Sequence, residues 1–424
     1  MFSLNTITAE AAAGKTVLMR VDFNVPLREK NGKWVVADAR RIERALPTIK
    51  LLLENKCRVR LISHLGRPKS SSDTKFSLKV VADYCKDTYG LPINFLPGLI
   101  ELSIKKNLEE QQPGTVVMLE NLRFYSGEKE NDAAFSHALA SLGDIYINEA
   151  FSACHRQHAS VVGVTHELPT FAGLALTTEV MALQDLLENP AKPFVVILGG
   201  AKISDKVAAL KNLSRIADIV LIGGAAANTF LKAEGYEIYR SFVEEKNAGM
   251  TTAKDYTKVA RRILAEHKQE KILKDGYIPL PKILYPVDVV AAPSLETHRQ
   301  KSAKVIDLSH GMADQDEFEQ LFYLDIGPKT IQLYTEIIAK AGTVFWNGPM
   351  GVWENPLFEA GTKAISKAVA RSTGKTVIGG GDTISAAHHF HLDHKFSYVS
   401  AAGGAALDLL GGDMLPGLRP LIHT

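Results

Sequence analysis

The stretch FVVILGGAKISDK, residues 194–206, decides the fold: the apolar run Phe194–Leu198 enters two glycines and then a polar segment that opens a helical pattern. An unbroken apolar run bounded by glycine predicts a strand buried on both faces, and a strand that feeds a helix is the repeating unit of a parallel sheet. The same unit recurs in both directions along the chain. In the first half the predicted strands are Thr16–Met19 before RVDFNVP, Val59–Ile62 before SHLGRP, Thr115–Leu119 before ENLRF, and Ile145–Ile147 before NEAF. In the second half Ile219–Ile222 before GGAAAN, Val344–Trp346 before NGPMG, Thr376–Ile378 before GGGD and Tyr398–Ser400 before AAGGA join Phe194–Leu198. This is an α/β chain with parallel sheets covered on both faces. Ligands bind such sheets beyond the carboxyl ends of their strands, so two sites are expected, one in each half.

The chain has 424 residues, too many for one core, and fits two domains of roughly 200 residues each. A hydrophobic fraction of 46% and a charged fraction of 23% are those of an ordinary globular protein. No basic segment followed by an apolar run marks a signal peptide, and no apolar stretch approaches the roughly 20 residues that span a bilayer. Cys57, Cys85 and Cys154 are too scattered for a disulfide framework or a zinc motif, which makes a reducing cytoplasm the expected compartment. A net charge of +2, shared evenly by the halves, argues against nucleic-acid binding and makes any anion site local.

The two halves place different residues beyond their strands. The first has Asp22, Asn24, Arg41, His64, Arg67, Arg123, His155 and Arg156 there, whereas the second has glycines, two lysines and one aspartate. Arginine grips carboxylate and phosphate through two parallel hydrogen bonds. Arginines beyond several different strands would converge on a small polyanion, although each taken singly reads as a surface ion pair. In GGAKISDK (199–206), glycines admit backbone amides to a phosphate, and Ser204 or Asp205 would cap the next helix. Lys202 and Lys206 then stand at the positive end of a helix, which suits them to a bound anion or leaves them as solvated lysines. In VIGGGD (377–382), three glycines precede Asp382 and Thr383, and Asp382 reads either as a magnesium ligand or as a simple N-cap. Neither segment is a Walker A loop, and no GxGxxG opens a helix after a strand, which weighs against a dinucleotide-dependent dehydrogenase.

In this order RVDFNVP (20–26), RIERALPTIK (41–50), SHLGRP (63–68), ENLRF (120–124), HRQHAS (155–160), LGGAKISDK (198–206), LDIGPKT (324–330), FWNGPMGVWE (345–354) and IGGGDT (378–383) resemble the phosphoglycerate kinase family along essentially the whole chain. The resemblance implies two doubly wound, Rossmann-like lobes joined by a hinge helix. Residues 1–173 would bind 3-phosphoglycerate and 174–190 would form the hinge. Residues 191–405 would bind nucleotide, and 406–424 would return to the first lobe. It further implies reversible phosphoryl transfer between ATP with Mg²⁺ and the carboxylate of 3-phosphoglycerate, by a cytoplasmic monomer that engages neither nucleic acid nor membrane.

Carried over residue by residue, Asp22, Asn24, Arg41, His64, Arg67, Arg123 and Arg156 resemble the acceptor site. Lys202, Lys206, Asn347, Glu354, Gly379, Gly380, Gly381, Asp382 and Thr383 resemble the nucleotide site, with Glu354 at the ribose and Asp382 at the metal. Arg41, Lys202 and the amides of Gly380 and Gly381 would stabilise the transferring group. A carboxylate acceptor is already ionised at neutral pH, so positioning and charge neutralisation are the whole task, and donor and acceptor on separate lobes imply lobe closure.

The chain departs from the family pattern at several places. Ala225 and Ala226 stand where the family usually has Gly-Met, and Ala401 and Ala402 where it has Thr-Gly. Glu149, Ser152, Ala153 and Cys154 replace the usual Asp, Gly, Thr and Ala, and Leu176 and Thr178 replace the usual Met and Lys near the hinge. These changes leave open a catalytically weak, ligand-binding relative as the alternative reading. A scaffold that binds nucleic acid or protein is a second, disfavoured by the neutral charge of both halves.

Overall fold

A strand that lacks any polar alternation folds only where both of its faces are covered. Phe194–Leu198, Ile219–Ile222, Thr343–Asn347 and Ile145–Asn148 are buried at every residue. The computed structural model describes residues 2–244, 255–268, 271–272, 280–297, 302–308 and 316–423. Within it the chain divides into two compact units, Met1–Met181 with Met414–Thr424, and Ala182–Asp413.

Each unit is built on one parallel sheet of six strands. The first unit holds β1 (Thr16–Arg20), β2 (Arg58–Ile62), β3 (Ile93–Phe95), β4 (Thr115–Met118), β5 (Ile145–Asn148) and β6 (Thr170–Ala172), in the order β3-β4-β2-β1-β5-β6. The second holds β7 (Phe194–Leu198), β8 (Ile219–Ile222), β9 (Ile283–Leu284), β10 (Thr343–Asn347), β11 (Lys375–Gly379) and β12 (Tyr398–Ser400), in the order β9-β8-β7-β10-β11-β12. Every pairing in both sheets is parallel. The second order is that of a doubly wound dinucleotide-type sheet, and the first is a close variant of it.

All nine strands read from the sequence are present. The other three, β3, β6 and β9, are edge strands of two or three residues, too short to register as apolar runs. Antiparallel elements were also unanticipated: beside the short ladder of Lys271–Ile272 with Leu280–Pro281 there are two larger ones. One is the hairpin Leu27–Lys30 with Lys33–Val36. The other is a three-stranded sheet of Lys304–Asp307, Asp288–Ala292 and Phe322–Ile326 in the second unit.

The helix Leu174–Glu188 carries the division between the units, which falls after Met181. Its first turn is held by Glu149, whose carboxylate accepts from the amides of Ala175 and Leu176, at 3.2 and 3.1 Å, and from the hydroxyl of Thr48. Burial pushes the Glu149 carboxyl up to about 7 against those donors. The chain end returns to the first unit: Gly417 N–H donates to Cys154 O at 2.8 Å and Asn5 N–H to Leu421 O at 2.7 Å.

Tyr334 is fully buried, and its hydroxyl lies 2.9 Å from Ile222 O and 3.1 Å from Leu284 O, tying the ends of β8 and β9. Tyr334→Phe leaves both carbonyls short of a donor. It is expected to lower the stability of the second unit by about 1–3 kcal/mol, read as a drop in its urea midpoint. An unchanged midpoint would show that the hydroxyl is not a tie.

Candidate functional site

The first unit gathers its charged residues on loops and turns that begin where strands end. After β1, Asp22 accepts from the amide of Asn24 at 3.2 Å, and Asn24 in turn accepts from the amide of Gly66, on the loop after β2, at 2.8 Å. Ser63 donates to Val21 O at 2.8 Å and accepts from Phe23 N–H at 3.0 Å, so the loops after β1 and β2 move together. Asn121, fully buried after β4, accepts from the amides of Leu65 and Arg123 and donates to the carbonyls of Leu65 and Phe76. A buried amide with all its groups satisfied fixes a loop as firmly as a strand does.

On this frame Arg41, in the first turn of the helix Arg40–Glu54, is 2.6 Å from Asp22, which also accepts from the Ser152 hydroxyl. Arg123 donates to Gly66 O. Its guanidinium pKa is lowered by burial and by the nearby charges of Arg156, Arg20 and Arg67, with Glu128 acting in the other direction. Burial, followed by the charges of Arg20, Arg123, Arg41 and His158, pushes His64 well below the ordinary imidazole range, so it is neutral. Arg67 and Arg156 are exposed. All seven residues assigned to the acceptor site thus share one neighbourhood. Cys154 is fully buried and its thiol is pushed up by that burial, which removes it as a nucleophile. Arg20, Ser63, Asn121 and Glu128 were not singled out from the sequence; the first three lie within RVDFNVP, SHLGRP and ENLRF.

In the second unit the loops after β7 and β10 close on each other, with Gly199 N–H donating to Asn347 O at 2.9 Å and Gly200 N–H to Pro349 O at 2.7 Å. Asn347 is buried beside the third glycine loop, where its amide nitrogen would stand 3.0 Å from a Cβ at Gly380. Gly380 has φ of 92°, a conformation open only to glycine. A cavity of about 440 Å³ opens between these loops, lined by Gly200, Ala225, Phe242, Leu295, Glu354 and Asp382 among others. Phe242 and Leu295, in that lining, are 53% and 50% exposed. Lys202 is exposed, while Lys206 is lowered by burial and partly restored by the charges of Asp205, Asp382 and Glu244.

The capping roles expected here do not form. The segment after β7 enters a 3₁₀ turn, Ser204–Lys206, before the helix Val207–Ile216, and the Ser204 amide is taken by Glu244 at 3.0 Å. The helix Gly381–His389 has no side-chain cap. Thr383 is buried and its hydroxyl accepts from Gly348 N–H at 2.6 Å, which leaves Asp382 exposed in the first turn with no hydrogen bond among the described residues.

None of the alanines in the altered glycine loops has a positive φ. Gly224, with φ of 60° and room for no Cβ (one would lie 2.6 Å from Gly200 N), is retained. The methyl of Ala225 faces the cavity and Ala226 is buried beside it.

The sequence model described as phosphoglycerate kinase matches residues 7–413. The phosphoglycerate kinase of Pseudothermotoga lettingae is 43% identical over 409 residues, 96% of either chain, and that of Dictyoglomus turgidum is 42% identical over 97% of this chain and 96% of its own. Among solved structures, the phosphoglycerate kinase of Coxiella burnetii aligns with a TM-score of 0.79 at 36% identity, covering 97% of this chain and 96% of its own. That of Pyrococcus horikoshii aligns with a TM-score of 0.80 at 31% identity, covering 99% and 98%. A match this long, over a chain that keeps both charge-bearing loop sets, means that the chain belongs to the phosphoglycerate kinase family.

Proposed function

We propose that Arg41, Arg67, Arg123, Arg156 and His64, with Asp22 and Asn24, bind 3-phosphoglycerate, and that the glycine loops of the second unit bind the nucleotide. The activity served is the reversible transfer of a phosphoryl group between ATP and a carboxylate. The observation that carries the assignment is the crowding of guanidinium groups around a neutral histidine, with Asp22 and Glu128 as the carboxylates drawn into it.

A 3-phosphoglycerate carboxylate needs no base, so the first unit's work is to hold it and screen its charge. Arg41 is the group best placed to follow the acceptor oxygens, because Asp22 already fixes its orientation from behind. In the second unit Phe242 and Leu295 offer apolar walls for a base, and Glu354 offers acceptors for ribose hydroxyls. Lys206, partly desolvated, attracts phosphate more strongly than a lysine in water would. Lys202 and the amides of Gly380 and Gly381 stabilise the transferring group, Gly379 and Asn347 shape their loop, and Thr383 braces it.

Asp382 fits a magnesium ion, since an exposed carboxylate with no hydrogen bond among the described residues is the donor that a hard cation adds to phosphate oxygens. Bound there, the ion would neutralise charge on the nucleotide. Among the described residues no helix is long and apolar enough to cross a membrane. We place the enzyme in the cytoplasm as a monomer acting on small molecules. Nothing favours the weak relative: none of Ala225, Ala226, Ala401 and Ala402 has a positive φ.

A coupled assay with ATP, Mg²⁺ and 3-phosphoglycerate, reading the acyl phosphate through its reductive dehydrogenation, tests the assignment. Wild type should turn over, and Arg41→Ala should lose at least about 100-fold in kcat. Inactive but folded wild type, or an active Arg41→Ala, would defeat it. Gly381 has open space where a Cβ would stand. Gly381→Ala should therefore leave the melting temperature unchanged and raise the KM for ATP by about tenfold or more. An unchanged KM would mean that phosphate does not approach this loop.

A further inference from the structure

Arg20 is the last residue of β1 and is only 1% exposed. Its guanidinium makes three contacts: Nη1 donates to Val21 O, Nε donates to Ser160 Oγ at 3.0 Å, and Nη2 lies 2.9 Å from His64 Nδ1. A guanidinium has only donors and does not lose its proton in a protein. The nitrogen that faces it must therefore be the acceptor, which puts the proton of a neutral imidazole on Nε2. Which ring nitrogen carries the proton is thus set by the residue behind the ring.

The charge this requires is buried and balanced. Glu128 is 1% exposed; its Oε1 accepts from Ser160 Oγ at 2.7 Å and its Oε2 from Ser160 N–H at 2.9 Å. Burial would raise the Glu128 carboxyl, but hydrogen bonding from His158, the charge of Arg20 and the two Ser160 donors outweigh it and keep it ionised. A chain of buried groups, Glu128 to Ser160 to Arg20, thus ends on Nδ1 of His64. The groups that bear on the ring electrostatically are Arg20 from β1, Arg123 from the turn after β4, Arg41 from its helix, and His158. Arg20, Arg123 and Arg41 are cations, so a positive charge on the ring is disfavoured.

We infer that Arg20 is a positioning residue that locks His64 as the Nε2–H tautomer, so that His64 meets the substrate anion as a hydrogen-bond donor of fixed orientation and no charge of its own. This rests on the reading of the cluster as the 3-phosphoglycerate site. Arg20 itself need not touch the substrate: its guanidinium is committed to Val21, Ser160 and His64. A neutral donor suits a site already rich in cations, because it adds a hydrogen bond without adding repulsion, and its contribution does not fade as pH rises.

The test uses the full chain labelled with ¹⁵N in its histidines, with the His64 ring assigned through a His64→Asn variant. Long-range ¹H–¹⁵N spectra of wild type should show a bare Nδ1 and a protonated Nε2, unchanged between about pH 5.5 and 8. A protonated Nδ1, or an imidazolium anywhere in that range, overturns the proposal whatever the variants do. Arg20→Gln should raise the KM for 3-phosphoglycerate by about tenfold. The KM for ATP should stay within about twofold, and a new pH dependence of the 3-phosphoglycerate KM should appear near the ordinary imidazole pKa. Arg20→Lys, which keeps a charged donor, should recover part of the loss. Equal damage to both KM values, or a lower melting temperature with no change in pH profile, would reduce Arg20 to a structural residue and overturn the proposal. If Arg20→Gln does not fold, the wild-type spectrum decides alone. Inactive wild type with a bare Nδ1 would sink the functional reading and not the tautomer, whereas full activity with a protonated Nδ1 would sink the tautomer and not the function.

Discussion

Cations held close together repel, and the first unit holds several beyond the carboxyl ends of its sheet's interior strands. Two unit charges about 6 Å apart repel by roughly 3 kcal/mol at an effective dielectric near 20. The loops after β1, β2, β4 and β5 accept this because they cannot relax. Ser63 and Asn121 bind them to one another with buried hydrogen bonds, Glu128 offsets Arg20 from within, and Asp22 offsets Arg41. The positive charge that remains, on Arg67, Arg123 and Arg156, is the part that a bound anion would neutralise. Rigidity and affinity share an origin here: the scaffold that resists the repulsion also spares the ligand from having to order the site.

The second unit solves a different problem with a different residue. Its sheet has the strand order of a nucleotide binder, and its three loops come close enough that backbone contacts backbone, as at Gly199 and Asn347 or Gly200 and Pro349. Such an approach needs glycine only where φ is positive or a Cβ would strike main chain. Gly224 and Gly380 are such positions, and both remain glycine. The neighbours that this chain has changed to alanine are not, which is why a departure from the family pattern in a phosphate-type loop carries no penalty visible in the geometry. Other departures acquire a role in the same way. Glu149, one methylene longer than the usual aspartate, reaches the first turn of the helix Leu174–Glu188 and the Thr48 hydroxyl together. Ser152, in place of glycine, adds a donor to Asp22.

The interior strands were legible because burial on both faces demands unbroken apolar runs. The edge strands β3, β6 and β9 were not, since two or three residues are too few to leave a pattern to read. The antiparallel sheet around Asp288–Ala292 was missed because strands and helices alternate elsewhere and a short meander carries no comparable rhythm. In the site, the exposed and half-exposed cations could be found from residue type and position alone. Arg20, Glu128, Ser63 and Asn121 could not, because their contribution lies in the groups they hold from behind, and a buried polar residue has the same letters as a surface one. The capping roles given to Ser204 and Asp205 failed for a related reason: a distant carboxylate, Glu244, takes the Ser204 amide, and nothing local announces it.

The central claim is that the first unit is an anion receptor formed before any nucleotide arrives. Calorimetric titration of 3-phosphoglycerate into nucleotide-free protein, at about 50 and about 300 mM salt, tests it most directly. A preformed receptor should give saturable binding without nucleotide, clearly weaker at the higher salt. Binding that appears only after nucleotide is added, or that is indifferent to salt, would contradict it.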